Sequence, residues 1–222
     1  MSGLEVRPKT PSAALLKIAL SKGSLLGPTI TALKAAGLDV GPLENPGRQL
    51  KLRAAGDVEY IIARPADVPT YVEWGAVDIG FVGSDILMEG KYQLFELLDM
   101  GLGRCKFVIA AAKGAPRDAD GSNGPITIAT KYPKVAADYL AREGLQAEII
   151  KLYGAIELAP LVGLADRIID LMSTGRTLAE NGLEVVDEIG DISCRLIANC
   201  VSYKLKSSRI NELVERLTER HR

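Results

Sequence analysis

Short apolar runs alternate with helical patterns along most of the chain, and this alternation constrains the fold more than any other feature. The runs at 15–20, 58–64 and 77–83 are apolar and end at polar residues, proline or glycine. Each is followed by a stretch with helical periodicity. Strands separated by single helices pair in parallel, with the helices crossing over the sheet. The pattern predicts an α/β fold with mainly parallel sheets flanked by helices.

The remaining elements continue this pattern. Further strands are predicted at 104–112, 126–130, 146–153, 166–172, 184–189 and 194–200. Helices are predicted at 28–37, within 67–75, at 85–101, 134–144 and 155–163, and in the amphipathic segment 207–220. Segment 113–125 is rich in glycine, proline, aspartate and serine, so it is predicted to be an exposed loop. At 222 residues the chain can form one large domain or two small ones.

Charge and composition exclude several classes of partner. The net charge of −1 offers neither a basic field for nucleic acid nor a polybasic run for a membrane surface. The N-terminal apolar run is short and follows charges and prolines, so it is typical of neither a signal peptide nor a membrane span. Cys105, Cys194 and Cys200 show no motif spacing and are expected to be reduced thiols. We therefore expect a cytoplasmic protein without nucleic-acid or membrane partners.

A single histidine, His221, narrows the possible chemistry further. It stands one residue from the C-terminus, where chains usually fray. Serine–histidine triads, histidine zinc sites and histidine general bases are therefore excluded. The remaining chemistry rests on lysine, arginine, carboxylates, hydroxyls and backbone groups.

The loop at 173–177, Ser-Thr-Gly-Arg-Thr, follows a predicted buried strand and precedes a short helix. Backbone N–H groups at a helix N-terminus and hydroxyl donors favour an anion. Gly175 permits close approach, and Arg176 can supply a charged clamp. Upstream, Asp170 can accept hydrogen bonds from two sugar hydroxyls, so the stretch favours a ribose 5-phosphate. The alternative is a helix capped by its own serine and threonine side chains, and local chemistry alone leaves both open.

The longer pattern "E-x5-G-x-A-x2-I-x-D-L-x2-T-G-x-T-L", from Glu157 to Leu178, resembles the signature of the ATP phosphoribosyltransferase family. Other segments are also similar to that family: 19–25, 47–50, 63–87, 131–140 and 194–200. Enzymes of the family carry out the first step of histidine biosynthesis. They transfer a 5-phosphoribosyl group from phosphoribosyl pyrophosphate to N1 of the adenine of ATP and release pyrophosphate, with Mg²⁺.

The resemblance implies a two-lobed fold similar to the type II periplasmic-binding-protein fold, with the ligands between the lobes. Each lobe is expected to be a mainly parallel sheet flanked by helices, with the chain crossing twice. On that basis residues 1–102 and about 186–222 would form the first lobe. Residues 103–185 would form the second lobe and carry the phosphoribosyl pyrophosphate loop.

The resemblance also implies roles for individual residues. Asp170 would hold the ribose hydroxyls. The 5-phosphate would be cradled by the loop residues Ser173, Thr174, Gly175, Arg176 and Thr177. The adenine nucleotide would be bound by Lys22, Gly23, Arg48 and Arg64. Of these, the three cationic side chains would also be catalytic at the departing pyrophosphate. Mg²⁺ would bind through substrate phosphates, and no protein ligand is assigned to it.

One position departs from the family pattern, and two assignments have simpler explanations. Ser24 stands where many members of the family carry arginine, so this chain has no cation at that position. Taken alone, Lys22 is also explained as a solvated loop lysine. Arg64 is also explained as a surface ion-pair partner of Asp67 or Glu73.

The family resemblance extends to partners, and it leaves three alternatives open. The short form of the family works as a homodimer within a hetero-oligomer, beside a regulatory subunit resembling histidyl-tRNA synthetase. The alternatives are a two-lobed effector- or solute-binding protein without catalysis, a type I phosphoribosyltransferase for a free base, and an inactive relative. Type I enzymes typically show two adjacent acids before "TG-x-T", whereas here Ile169 occupies the position of the first acid.

Overall fold

A computed structural model of the chain describes residues 15–115 and 126–219. Most of the predicted exposed loop and His221 lie outside the described residues. Within these ranges the chain forms eleven β-strands in two sheets, together with nine α-helices. No described helix is long and apolar enough to span a membrane.

The strands are β1 (Leu16–Ser21), β2 (Lys51–Ala54), β3 (Val58–Ala63), β4 (Ile79–Gly83), β5 (Leu94–Asp99), β6 (Cys105–Ala112), β7 (Ile126–Thr130), β8 (Ala147–Lys151), β9 (Arg167–Met172), β10 (Leu183–Ile192) and β11 (Cys194–Asn199). The helices are α1 (Leu26–Ala35), α2 (Gly41–Glu44), α3 (Val68–Glu73), α4 (Ser84–Glu89), α5 (Pro133–Glu143), α6 (Leu158–Leu161), α7 (Arg176–Glu180), α8 (Cys200–Leu205) and α9 (Ser207–Glu219). A single 3-10 turn at Pro65–Asp67 precedes α3.

The described residues separate into two compact units. Unit 1 takes its residues from Met1–Val82, Gln93–Met100 and Arg195–Arg222, and unit 2 from Gly83–Tyr92 and Gly101–Cys194. These limits differ from the predicted lobes, which placed 83–92, 101–102 and 186–194 in the first lobe. The strand β10 belongs with unit 2 because it pairs with β6 along its length. The segment 83–92 belongs there because α4 packs against α5.

Unit 1 is built on a six-stranded sheet in the order β2-β3-β1-β4-β11-β5. The strand β1 pairs in parallel with β3 on one side and with β4 on the other. Its side chains Leu16, Ile18, Ala19 and Leu20 are almost fully buried, as expected for a strand covered on both faces. This pairing brings the carboxyl ends of β1, β3 and β4 to one edge of the sheet.

Unit 2 is built on a five-stranded sheet in the order β10-β6-β9-β7-β8. The strands β9, β7 and β8 are parallel, so their carboxyl ends also share one edge. On one face, Phe107 and Ile169 pack against side chains of α5 such as Val135. On the other face, Ile168 packs in a cluster that includes Leu178 of α7. The two faces alternate along β9, which is the period expected for a strand buried on both sides.

The predicted α/β class is confirmed, but the sheets are more mixed than the sequence predicts. The pairs β2–β3, β11–β5, β10–β6 and β6–β9 are antiparallel. The single helix predicted over 85–101 is wrong, because helix α4 ends at Glu89 and residues 94–99 form β5. The strand β2 and the helix α8 were not predicted.

Candidate functional site

The loop at 173–177 comprises the connection from β9 to α7 and the first two residues of α7, and it carries the predicted phosphate-binding residues. Gly175 adopts φ of +74°, the left-handed region in which other residues are strained. A Cβ atom at this position would lie 3.2 Å from the sulfur of Met172. Leu178 is buried in the core and anchors the helix that follows. Glycine is therefore favoured at this position for two reasons: the left-handed backbone of the turn, and the lack of room for a side chain beside Met172.

The polar groups of this loop face solvent. Ser173, Thr174 and Thr177 are exposed. The helix is not capped by a side chain at its N-cap position, which Gly175 occupies, and the amide of Arg176 lies 3.5 Å from Thr174 Oγ1, at the limit of a hydrogen bond. First-turn amides have no partner within their own helix. The helix α7 is therefore only weakly capped by its own side chains. The exposed hydroxyls of the loop and the first-turn amides are available to an anion.

Arg176 does not point freely into this loop. Its Nε atom donates to Glu180 Oε1 at 2.7 Å, one turn along α7, and both side chains are exposed. An exposed ion pair with this spacing contributes roughly 0.3–0.5 kcal/mol. The guanidinium can therefore exchange Glu180 for a more highly charged anion at little cost.

Asp170 lies in β9, on the sheet face that also carries Ile168. Its Oδ1 accepts a hydrogen bond from the backbone N–H of Leu171 at 2.8 Å. Burial is the largest influence on the pKa of the Asp170 carboxyl and raises it. The hydrogen bond from the Leu171 amide lowers this pKa. The charge of Glu157 raises it, and the charge of Lys131 lowers it. A half-buried carboxylate with a second carboxylate near it is a strong acceptor for hydroxyl groups.

Two of these neighbours were not assigned roles from the sequence. Glu157 opens the signature pattern and here is the N-cap residue of α6. Its place in the signature was the signal that could have identified it. Lys131 directly follows β7 and opens the segment 131–140, which resembles the family, but that resemblance assigned it no role. Its closeness to Asp170 depends on the order of the strands.

The carboxyl ends of β7 and β9 are held together by a buried hydroxyl. Thr130 Oγ1 donates to the carbonyl of Ile169 at 2.7 Å and accepts from the backbone N–H of Tyr132 at 2.9 Å. The Tyr132 hydroxyl in turn donates to Asp85 Oδ2 at 3.0 Å. Burial, followed by the charge of Asp85, raises the pKa of Tyr132, so the hydroxyl stays protonated as a donor. Ligands of α/β proteins bind at such a carboxyl edge.

In unit 1 the predicted residues Lys22, Gly23 and Arg64 come together at the carboxyl edge of the sheet. The strands β1 and β3 are in register at Ser21 and Ala63, so the next residue of each strand lies at the same level. The backbone N–H of Lys22 donates to the carbonyl of Ala63 at 2.8 Å. Gly23, with φ of +94° and open space around it, turns the chain towards α1.

Arg48 reaches the same edge from the turn before β2. The backbone N–H of Ile62, near the end of β3, donates to the carbonyl of Leu50 at 2.8 Å. Arg48 therefore stands beside the end of β3, as Arg64 does. Both arginines and Lys22 are exposed, and none of the three forms an ion pair within residues 15–115 and 126–219. Glu73, the predicted alternative partner of Arg64, instead accepts from the backbone N–H of Gln93 at 2.7 Å.

Comparison with known proteins identifies the family. A family model described as ATP phosphoribosyltransferase, HisG, matches residues 64–219. The chain belongs to the ATP phosphoribosyltransferase family. A relative from Alkaliphilus metalliredigens with that name is 45% identical over 207 residues, which is 93% of this chain and 98% of the relative. The family predicted from the signature is confirmed.

Solved structures support the same family and fold. The ATP phosphoribosyl transferase (HisG:HisZ) complex from Thermotoga maritima matches with 36% identity and a TM-score of 0.78, over 92% of this chain and 98% of that one. The periplasmic aliphatic sulphonate binding protein SsuA from Escherichia coli matches with a TM-score of 0.61 at 14% identity, over 93% of this chain and 72% of that one. The second likeness concerns the fold alone. It confirms the type II periplasmic-binding-protein-like fold and does not favour a binding protein without catalysis.

The raised pKa of Asp170 predicts a cost in stability. A carboxyl whose pKa is raised by folding is destabilising once the pH exceeds its unfolded pKa, and the whole cost is present above its folded pKa. Asp170→Asn should therefore raise the free energy of unfolding at pH 7. The gain should disappear in acid, where the carboxyl is protonated in both states. Denaturant unfolding at pH 7 and at the lowest pH where both proteins remain folded measures this.

Asp166, which directly precedes β9, provides a matched control. Hydrogen bonds from the backbone N–H and hydroxyl of Thr127, at 2.8 and 2.7 Å, lower the pKa of Asp166. Asp166→Asn should therefore destabilise the protein at pH 7, and the loss should shrink as the pH falls through the folded pKa. If Asp170→Asn lowers stability at pH 7 as Asp166→Asn does, the Asp170 carboxylate is stabilising and our account of its environment is wrong.

Proposed function

We propose that the chain transfers the 5-phosphoribosyl group of phosphoribosyl pyrophosphate to N1 of ATP and releases pyrophosphate, the first step of L-histidine biosynthesis. Membership of the family supports the activity. The observation that carries the proposal is the carboxyl edge of unit 2, where Asp170 and the loop 173–177 follow one another on β9 and its connection to α7. That order matches the order of hydroxyls and 5-phosphate along the ribose.

In this proposal unit 2 binds phosphoribosyl pyrophosphate. Asp170 accepts hydrogen bonds from the ribose hydroxyls, and Glu157 provides a second carboxylate beside it. Ser173, Thr174 and Thr177 donate to the 5-phosphate together with the first amides of α7. Gly175 lets the phosphate approach the backbone, and Arg176 exchanges Glu180 for it. The exposure of these hydroxyls supports this role.

Unit 1 provides the cations in this proposal. Lys22, Arg48 and Arg64 bind the ATP phosphates and stabilise the charge that develops on the departing pyrophosphate. The backbone of Gly23 approaches the nucleotide closely. The support is that all three cations are exposed at one sheet edge and, among the described residues, lack a carboxylate partner. An arginine without an internal partner can bind a phosphate without first breaking an ion pair.

The chemistry needs no histidine. The lone pair of adenine N1 forms the bond to C1 of the ribose, and the bond from C1 to the pyrophosphate oxygen breaks. The electron pair leaves with pyrophosphate, so no base must first activate the nucleophile. The remaining demands are alignment of two anionic substrates and neutralisation of the leaving group, which fixed cations and hydrogen-bond donors can supply.

Mg²⁺ fits this site as a companion of the substrate phosphates. Among the described residues there is no group of three or more His, Cys, Asp or Glu side chains that could hold a metal ion. Mg²⁺ keeps several waters and is commonly bound by substrate phosphates with one or two carboxylates, a number that Asp170 and Glu157 can supply. When bound, it would offset negative charge on the leaving pyrophosphate.

We also propose a cytoplasmic location, a homodimer and a regulatory partner. Cys105 and Cys200 carry free thiols, which suits a reducing compartment. Unit 1 exposes several large apolar side chains that a second copy could cover: Tyr71, Trp74, Val201 and Leu205 are 41%, 82%, 64% and 79% exposed. The Thermotoga maritima relative was solved as a HisG:HisZ complex, which supports a hetero-oligomer with a histidyl-tRNA-synthetase-like subunit.

The direct test of the activity is pyrophosphate release with ATP, phosphoribosyl pyrophosphate and Mg²⁺. We expect release that requires all three and gives a product joined at adenine N1. Release with a free purine base in place of ATP would favour a type I enzyme. Binding of both substrates without turnover, even after the second subunit is added, would favour a binding protein or an inactive relative.

The phosphate loop gives a prediction at single residues. Thr174→Ala should weaken binding of phosphoribosyl pyrophosphate by about 1–3 kcal/mol, the usual loss for a hydrogen bond to a charged group. Gly175→Val should abolish binding, because its side chain fills the space that the phosphate needs. Calorimetric titration measures both.

Gly182→Val is the matched control for backbone strain. Gly182 also has a positive φ, +67°, but open space surrounds it and it lies after α7, outside the loop. The Gly182→Val substitution should lower the free energy of unfolding and leave the binding of phosphoribosyl pyrophosphate intact. If Thr174→Ala and Gly175→Val both bind like the parent, the assignment of residues 173–177 is wrong.

Regulation gives a further prediction. In this proposal histidine inhibits the enzyme by binding to the regulatory subunit and not to this chain. The purified single chain should therefore be insensitive to histidine. Inhibition should appear only after the second subunit is added, and steady-state rates with and without it measure this. Saturable histidine inhibition of the single chain would contradict the proposal.

A further inference from the structure

Lys131 is a cation at the carboxyl edge of unit 2, outside the phosphate loop. It is the first residue after β7, and β7 pairs in parallel with β9 so that Thr130 lies level with Ile169. Lys131 and Asp170 are therefore level on neighbouring strands. The lysine side chain is exposed and is not ion-paired within the parts of the chain that the structure describes. Its charge nevertheless reaches Asp170, because it opposes the rise in the pKa of that carboxyl.

The backbone around Lys131 is fixed on both sides. Thr130 is fully buried, and its hydroxyl bonds to the backbones of Ile169 and Tyr132. The Tyr132 ring is 4% exposed and packs edge-on against Phe107, with ring centroids 4.8 Å apart. The ammonium of Lys131 lies 5.7 Å from the centroid of the Tyr132 ring. An exposed ammonium on a well-packed backbone is suited to a charged ligand at this edge.

The position relative to Asp170 selects one part of the ligand. In the function proposed above, Asp170 holds the ribose hydroxyls and the loop 173–177 holds the 5-phosphate. The 2-hydroxyl is next to C1, which carries the diphosphate, and the 5-phosphate is at the opposite end of the sugar. Lys131 is level with Asp170, which precedes the first loop residue by three positions along the chain. It therefore lies towards C1.

We propose that Lys131 binds the diphosphate of phosphoribosyl pyrophosphate, as a binding residue of unit 2 outside the family signature. The assignment rests on the proposed function of this edge. It also resolves an electrostatic conflict, because Asp170 and Glu157 would repel a diphosphate beside the sugar hydroxyls. A lysine level with Asp170 offsets that repulsion.

Lys151 provides a matched control. It ends β8, it is exposed, and its ammonium lies 5.5 Å from the ring of the tyrosine two residues later, Tyr153. It thus resembles Lys131 in charge, exposure and aromatic contact. The strand β7 separates it from β9, so it is not level with Asp170 on a neighbouring strand.

The test is calorimetric titration of the full chain with phosphoribosyl pyrophosphate, ribose 5-phosphate and ATP, each with Mg²⁺. Lys131→Met should raise the Kd for phosphoribosyl pyrophosphate at least about tenfold, as expected for a lost hydrogen bond between charged groups. Ribose 5-phosphate, which lacks the diphosphate, should bind the variant and the parent equally. Lys151→Met should leave all three affinities unchanged, and Lys131→Arg should retain most of the parent's affinity.

Three results would overturn the inference. The first is a Lys131→Met protein that is folded by circular dichroism and binds phosphoribosyl pyrophosphate as the Lys151→Met protein does. The second is an equal loss for ribose 5-phosphate, which would move the contact to the 5-phosphate. The third is a loss for ATP alone. A parent protein that binds no phosphoribosyl pyrophosphate would contradict the proposed function itself, so the two failures are distinguishable.

Discussion

The candidate site depends on the parallel pairing of β7 with β9, which a hydrogen bond from the Thr130 hydroxyl stabilises. That hydroxyl is fully buried and bonds to the Ile169 carbonyl at the last paired position of β7. A buried carbonyl without a partner would cost about 1–3 kcal/mol. The bond therefore favours the register in which Thr130 lies level with Ile169, and it holds the two strands together at that position. Because of this register, Lys131 is level with Asp170. A slip of one residue would turn Asp170 to the opposite face of the sheet.

The two sheet edges differ in their chemistry. The edge of unit 2 offers hydroxyls, amides and two carboxylates, which are suited to a phosphorylated sugar. The edge of unit 1 offers Lys22, Arg48 and Arg64, which are suited to polyphosphates. The carboxylate of Asp170 is held where burial raises its pKa, and Gly175 is held at a positive φ. The buried carboxylate costs stability, and the positive φ excludes side chains at position 175. Local costs of this kind are concentrated at functional sites.

Local patterns identified those parts of the fold that are determined locally. The strands β1, β4, β9 and β11 are apolar on both faces, and the sequence predicted each of them close to its observed limits. The spacing of Leu94, Leu97 and Leu98 is helical, yet these residues form β5 because β11 pairs with them. Partners distant in sequence overrode the local pattern there. The antiparallel placement of β6 and β10 is likewise a property of the assembled sheet.

The same distinction applies to the site. The loop 173–177 and Asp170 are contiguous, so a sequence pattern marks them together. Lys22, Arg48 and Arg64 were assigned through the family resemblance, and the sheet brings them to one edge. The neighbourhood of Lys131 and Asp170 follows only from strand order, and the bond from Tyr132 to Asp85 joins residues 47 positions apart. Single-sequence patterns carry no signal for such pairs.

The most direct measurement of the central claim is steady-state kinetics of Asp170→Asn and Arg64→Ala against both substrates. If unit 2 binds phosphoribosyl pyrophosphate and unit 1 stabilises the leaving group, Asp170→Asn should raise the KM for phosphoribosyl pyrophosphate more than that for ATP. Arg64→Ala should mainly lower kcat, because its contact strengthens as charge develops on pyrophosphate. Equal increases in both KM values for both variants, with kcat unchanged, would contradict this division between the two edges.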